Sequence, residues 1–180
     1  MKVIGFCGLP GAGKSTAIDA VKDLGIIITM GDVIRNEAKI RKIEPSDQNL
    51  GEIAKKLREE KGDSIIAERC VNLIQSKKEN VIFVDGIRSL FEVKVFKSYW
   101  KFPVIAIKSK KKLRYKRISE RHRIDDSKII AEIKERDERE TIFGLKKVIR
   151  KADYIILNNS TLDELIINTR NLVLKLIKNY

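Results

Sequence analysis

Two glycines five residues apart, followed directly by a lysine and a hydroxyl side chain, are the clearest chemical signal in this chain. They lie in the segment Gly8-Leu9-Pro10-Gly11-Ala12-Gly13-Lys14-Ser15-Thr16. Glycines let the backbone turn tightly enough for consecutive amide groups to face one anion. We therefore expect this loop to bind the phosphates of a nucleotide, with Lys14 at the β- and γ-phosphates and Ser15 at Mg²⁺.

The segments on either side of the loop support the same interpretation. Lys2 to Cys7 is a short apolar run that predicts a buried parallel strand. Residues 15–24 have apolar side chains at helical spacing, and the start of a helix adds unpaired N–H groups and the positive end of its dipole. An ordinary glycine-rich turn would require neither flank, so we favour a phosphate-binding loop.

Composition limits the class of protein. The chain has 180 residues, which suits one domain with a proper core. Its formal charge of +13 fits either polyanionic ligands or a solvated lysine-rich surface, and the many lysines near glutamates on helical patterns favour the surface.

Cys7 and Cys70 match no paired metal-ligand spacing, so we expect both in the core. No apolar run is long enough to cross a bilayer, which predicts a cytoplasmic protein without a membrane partner.

Short apolar runs alternate with helical patterns along the whole chain. Strands are predicted at 2–7, 26–29, 81–84, 102–107 and 154–157. Helices are predicted at 15–24, 31–39, 45–61, 64–78, 89–99, 113–121, 126–140, 143–151 and 161–178. This alternation predicts an α/β fold, a five-stranded parallel sheet with helices on both faces. Because the carboxyl ends of parallel strands meet at one crevice, the residues that follow each strand are the candidates for chemistry.

Four such residues follow the second strand: Thr29, Gly31, Asp32 and Arg35. A glycine at the strand exit permits close approach of the backbone, and a guanidinium one turn into the helix is placed to bind an anion. The alternative is a plain helix start, with Asp32 as the N-cap and Arg35 in solvent.

Three more follow the third strand: Asp85, Gly86 and Arg88. An aspartate at the end of an apolar strand is the usual companion of a phosphate loop, where its carboxylate orders Mg²⁺ and its waters. An Asp-Gly turn is the alternative. Because the chain also has the glycine-rich loop and Arg35, we favour the interpretation that Asp85 helps to bind Mg²⁺.

A third group lies in the basic segment from Arg117 to Asp126, which includes Arg121 and Arg123. Arg136 and Arg139 follow on the next predicted helix. Phosphoryl transfer spreads negative charge over several oxygens, so cations on a movable helical pair would assist it. A solvated charged face is the alternative, and the lone His122 is expected to face solvent.

With these motifs in place, the chain resembles the nucleoside-monophosphate kinase group of P-loop kinases, and most closely a small archaeal family of adenylate-kinase-related proteins. The Thr29-x-Gly31-Asp32-x-x-Arg35 and Asp85-Gly86-x-Arg88 segments match the AMP-binding segments of that group, and Arg117-Ile118-x-x-Arg121 matches its lid pattern. The resemblance implies that Arg35 and Arg88 hold the α-phosphate of AMP, that Arg117 stacks on the ATP adenine, and that Arg121 and Arg123 contact phosphates.

The same resemblance implies one P-loop kinase domain over residues 1–180. Its core would comprise residues 1–30, 80–115 and 141–180, with a helical acceptor-binding insertion at about 31–79 and a short lid at about 116–140. It implies phosphoryl transfer from Mg-ATP to a nucleoside monophosphate, most simply AMP, and ATP and Mg²⁺ as cofactors.

Two departures leave an alternative acceptor open. Ile87 stands where adenylate kinases have a Phe-Pro pair, and the lid is short, without a cysteine zinc knuckle. The short lid and the Ala152–Ser160 segment are similar to dephospho-coenzyme A kinase, which phosphorylates a ribose hydroxyl. An aspartate at the position of Asp32 would then act as the base that takes the hydroxyl proton.

A second alternative is an adenylate-kinase-like ATPase that acts with an RNA-containing partner, since a charge of +13 suits a polyanion. The densest basic tract of the chain, from Lys108 to Arg123, carries one aromatic residue, Tyr115, so an RNA-binding signature is not favoured. A GTPase is disfavoured because the chain has no Asn-Lys-x-Asp segment to read the base.

Overall fold

The fold is one five-stranded sheet in which every strand pairing is parallel. It was obtained as a computed structural model that describes residues 1–120 and 130–179. The strands are β1 (Lys2–Cys7), β2 (Ile26–Thr29), β3 (Val81–Asp85), β4 (Val104–Lys108) and β5 (Tyr154–Leu157). Their order in the sheet is β2-β3-β1-β4-β5. The predicted α/β fold class is confirmed.

Helices connect the strands. They are α1 (Lys14–Asp19), α2 (Met30–Ile40), α3 (Asp47–Lys61), α4 (Ile65–Gln75), α5 (Leu90–Tyr99), α6 (Lys111–Glu120), α7 (Ile130–Ile142), α8 (Leu145–Arg150) and α9 (Leu162–Asn179). Most boundaries lie close to the sequence predictions, but α1 ends at Asp19 instead of Leu24. The backbone tightens there, because the amides of Val21 and Leu24 bond to carbonyls three residues back. None of the described helices is both long and apolar enough to cross a membrane.

The sheet has a hydrophobic core on each face. Val3 and Cys7 of β1 belong to one cluster, with residues of α2, α3, α4 and α5, whereas Ile4 and Phe6 belong to the other, with residues of α1 and α9. The alternation follows from the two-residue period of a strand. Both cysteines are buried, and burial raises the pKa of each thiol to about 12. The prediction that they occupy core space is confirmed.

The register of the sheet brings the candidate residues to one edge. Asp85 at the end of β3 pairs with Phe6 of β1 on one side and with Thr29 of β2 on the other. The loop after β1 and the start of α2 therefore lie on either side of the residues that follow β3.

Glu92 fixes the backbone that follows β3. Its side chain is fully buried, at 0% exposure, and accepts hydrogen bonds from the amides of Arg88 (2.7 Å) and Ser89 (3.0 Å). It also accepts from the Arg58 guanidinium on α3 at 2.8 Å. One carboxylate thus joins α3, α5 and the loop that carries Arg88.

Replacing Glu92 by Ala should lower the free energy of unfolding by about 3–5 kcal/mol, because it leaves the buried Arg58 without its counter-charge. Urea denaturation measures this loss. Glu59→Ala is the control, since Glu59 is exposed and its pairing with Lys55 is at 3.8 Å; it should cost ~0.5 kcal/mol or less. Equal costs for the two variants would contradict the role given to Glu92.

Candidate active site

The glycine-rich loop from Gly8 to Ser15 joins the end of β1 to the start of α1. Gly11 and Gly13 have φ angles of 73° and 99°, in the left-handed region that favours glycine. A Cβ at Gly13 would lie 2.2 Å from the Asn158 side chain, and one at Gly11 would lie 2.5 Å from the Arg114 carbonyl oxygen. Both glycines are therefore required by backbone conformation and by close packing behind the loop.

The loop forms one wall of a crevice of about 360 Å³. The nine residues from Gly8 to Thr16, which the sequence predicted to bind phosphate, all line this crevice. The opposite wall comprises Gly86, Ile87, Arg88, Arg136, Glu140 and Leu145. The fold thus places the loop and the residues after β3 around one space, large enough for a small molecule.

Lys14 and Asp85 meet in this crevice. The Lys14 ammonium forms an ion pair with Asp85 Oδ1, and both side chains are mostly buried. Serine and aspartate oxygens are the hard donors that Mg²⁺ prefers, so the donor set of Ser15 and Asp85 fits that ion. The pairing also shows that Lys14 is directed towards the carboxyl end of β3.

Arg88 stands between the crevice and a second space. Its Nε donates to Glu140 Oε2 at 2.6 Å, and Glu140 raises the pKa of the Arg88 guanidinium. The second space has a volume of about 60 Å³ and shares Arg88, Arg136 and Glu140 with the crevice. Arg35, Arg139 and Gly31 also line it. Four guanidinium groups, those of Arg35, Arg88, Arg136 and Arg139, therefore surround a space suited to an anion. We refer to it as the arginine-rich space.

Other sequence-predicted residues lie away from these spaces. Asp32 lines neither of them; its carboxylate is 66% exposed and accepts from Arg35 at 2.6 Å. Thr29 lies at the end of β2 beside Asp85. Arg117 donates to Ser109 Oγ at 3.2 Å and to the Asn158 carbonyl oxygen at 3.3 Å, at the ends of β4 and β5. Arg121 and Arg123 lie outside the described residues.

Two buried side chains that the sequence reasoning missed support the loop from behind. Arg114 is 3% exposed and donates to the Pro10 carbonyl oxygen at 2.7 Å. Its guanidinium also binds both carboxylate oxygens of Asp137 on α7. Asn158 donates to the Ala12 carbonyl oxygen at 2.9 Å. The one available signal was the position of Arg114, three residues before Arg117 on the same helix face.

Comparison with known proteins places the chain in a family. A family model described as AAA domain matches residues 4–143. A UPF0200 protein of Hyperthermus butylicus is 38% identical over 97% of this chain and 94% of its own length. The chain belongs to the UPF0200 family. A UPF0200/UPF0201 protein of Archaeoglobus fulgidus is 42% identical over 99% of the chain, which spans only 57% of that relative's length.

Solved structures agree on the fold. The crystal structure of TT1252 from Thermus thermophilus matches with a TM-score of 0.59 and 14% identity, over 97% of both chains. Shikimate kinase from Aquifex aeolicus matches with a TM-score of 0.55 and 18% identity, over 98% of this chain and 97% of that one. The chain therefore shares the fold of these proteins, an α/β P-loop fold. The closer relationship to adenylate kinases remains a prediction.

Replacing Asn158 by Ala should weaken binding of a non-hydrolysable ATP analogue by about tenfold, or ~1.4 kcal/mol. The reason is that the loop loses the buried hydrogen bond from the Asn158 side chain to the Ala12 carbonyl oxygen. Calorimetric titration measures the change. Asn159→Ala is the matched control: Asn159 is exposed, and its side chain accepts from the Lys110 amide at 2.9 Å, away from the loop. Identical affinities of the two variants for the analogue would show that Asn158 does not support the loop.

Proposed function

We propose that this chain transfers the γ-phosphoryl group of Mg-ATP to the phosphate of a nucleoside monophosphate, with AMP the first acceptor to test. A phosphate oxygen of the acceptor forms a bond to the γ-phosphorus, the bond from that phosphorus to the β–γ bridging oxygen breaks, and ADP leaves. Two nucleoside diphosphates result from the reaction with AMP. No proton needs to be removed, because the attacking phosphate is already anionic.

The observation that carries the proposal is the position of Arg88. It lines both the crevice of the phosphate loop and the space that contains Arg35, Arg136 and Arg139. A donor phosphate chain at the loop and an acceptor phosphate among these arginines would meet at Arg88. Cations on both sides of the transferred group would stabilise the charge that develops on its oxygens.

The donor half would use the loop itself. The amides of the loop and the Lys14 ammonium would bind the β- and γ-phosphates, and Lys14 would exchange Asp85 for phosphate oxygens. Ser15 and Asp85 would hold Mg²⁺, which supplies charge neutralisation at the phosphates. Arg121 and Arg123 are proposed to contact the same phosphates, and Arg117 to contact the adenine.

A ribose hydroxyl acceptor is the second candidate, and Glu140 is the observation that favours it. A hydroxyl needs a carboxylate to take its proton, and Glu140 lies in the crevice, 6% exposed and held by Arg88. Asp32, the base expected from the sequence, is instead exposed and paired with Arg35. The four arginines still favour a phosphate acceptor.

Calorimetry with AMP and with dephospho-coenzyme A distinguishes the two candidates, and product analysis with Mg-ATP then identifies the reaction. We expect stoichiometric AMP binding and conversion of ATP and AMP to ADP. Saturable binding of dephospho-coenzyme A alone would replace the first candidate by the second.

Lys14→Ala should reduce phosphoryl transfer by about 10²–10³-fold, because a cation that stabilises the transferred group is lost. AMP binding measured by calorimetry should stay close to that of the unaltered protein, since Lys14 lines the crevice but not the arginine-rich space. Loss of AMP binding in a folded Lys14→Ala variant would contradict this division of the site.

A further inference from the structure

Helix α7 carries two carboxylates one turn apart, and each binds an arginine from a different part of the site. Asp137 binds Arg114, the residue that donates to the Pro10 carbonyl oxygen of the phosphate loop. Glu140 binds Arg88, which borders the arginine-rich space. Through Arg114 and Arg88, one helix is thereby connected to both the donor loop and the acceptor side.

The first of these ion pairs is well shielded from solvent, and the second is shielded mainly on its carboxylate side. The side chains of Arg114 and Asp137 are 4% and 14% exposed, and those of Arg88 and Glu140 are 25% and 8% exposed. A shielded pair is costly to break, because each charge would lose its partner without full hydration in exchange. Since both carboxylates lie on α7, a shift of this helix moves the acceptor sides of both pairs together.

The same helix places two cations at the site. Arg136 lines both the crevice and the smaller space. Arg139 lies against α3, where a Cβ on Gly51 would come within 2.9 Å of its Nε. Glycine at position 51 therefore leaves room for a guanidinium between α3 and α7. The position of α7 thus decides where four charged side chains stand relative to both substrates.

We propose that α7 couples nucleotide binding at the phosphate loop to acceptor binding at Arg88, with Asp137 and Glu140 as the positioning residues. The acceptor half of this inference rests on the proposed function. A nucleotide that orders the loop favours, through Arg114 and Asp137, the α7 position in which Glu140 holds Arg88 towards the acceptor. By linkage the acceptor must favour nucleotide binding to the same extent.

The test measures the affinity of a non-hydrolysable ATP analogue by calorimetry, with and without saturating AMP. In the unaltered protein AMP should tighten analogue binding by about fivefold or more. Glu140→Ala should weaken AMP binding, Asp137→Ala should weaken analogue binding, and each should abolish the tightening. Glu140→Gln should restore part of it, because its amide oxygen still accepts from Arg88. Glu138→Ala, an exposed change on the same helix, is the control. It should leave the AMP affinity, the analogue affinity and the tightening by AMP unchanged.

Hydrogen exchange provides a measurement that needs no acceptor. The analogue should slow amide exchange of residues 86–89 in the unaltered protein and in Glu140→Gln, but not in Glu140→Ala. Thermal unfolding identifies any variant that fails to fold, and the conservative Asp137→Asn and Glu140→Gln variants then take its place.

The outcomes separate the two proposals. If AMP does not bind but the analogue slows exchange at residues 86–89 through Glu140, the proposed acceptor is wrong and the coupling stands. If AMP binds without tightening the analogue, or if Glu140→Ala retains the full exchange effect, the coupling is overturned.

Discussion

The burial of the Arg114 guanidinium is the constraint on which the site depends. A charged group that is 3% exposed must be paired, and Arg114 finds its partners in the Pro10 carbonyl oxygen and the Asp137 carboxylate. The first bond supports the phosphate loop from behind. The second fixes α7 against α6, and with α7 come Arg136, Arg139 and Glu140. A single buried charge therefore sets both the shape of the loop and the composition of the facing wall.

Electrostatic balance explains why so many arginines can stand close together. Arg88 is held by Glu140, Arg35 by Asp32, and the Arg88 backbone by Glu92. Each carboxylate offsets the repulsion that neighbouring guanidinium groups would otherwise exert, and the Glu140 carboxylate keeps the Arg88 pKa raised. An anionic substrate would add negative charge among the arginines, which favours its binding without a large rearrangement of the fold.

Relatives and structural neighbours agree on the scaffold, while the chemistry depends on individual side chains. Shikimate kinase and this chain share a fold at 18% identity, and a shared fold leaves the acceptor open. The proposed phosphate acceptor rests instead on the four arginines of the second space, Arg88 among them, and on the exposed position of Asp32. On chemical grounds, these features favour the proposed phosphate acceptor over a hydroxyl acceptor.

The sequence alone determined the fold class, the strand positions and the phosphate loop, because each depends on local pattern: apolar runs of strand length, and glycines with Lys14 and Ser15 at fixed spacing. It also indicated that Arg35 and Arg88 follow strands whose ends meet. The sequence did not indicate Arg114, Asn158, Asp137 or Glu140, since nothing local marks a polar residue that is buried by contact with a distant segment. Only the tertiary structure decided that α7 faces the loop, that Asp32 lines neither the crevice nor the second space, and that Glu140 lines both. Those positions follow from the packing of helices and the pairing of buried charges, which connect residues far apart in the chain.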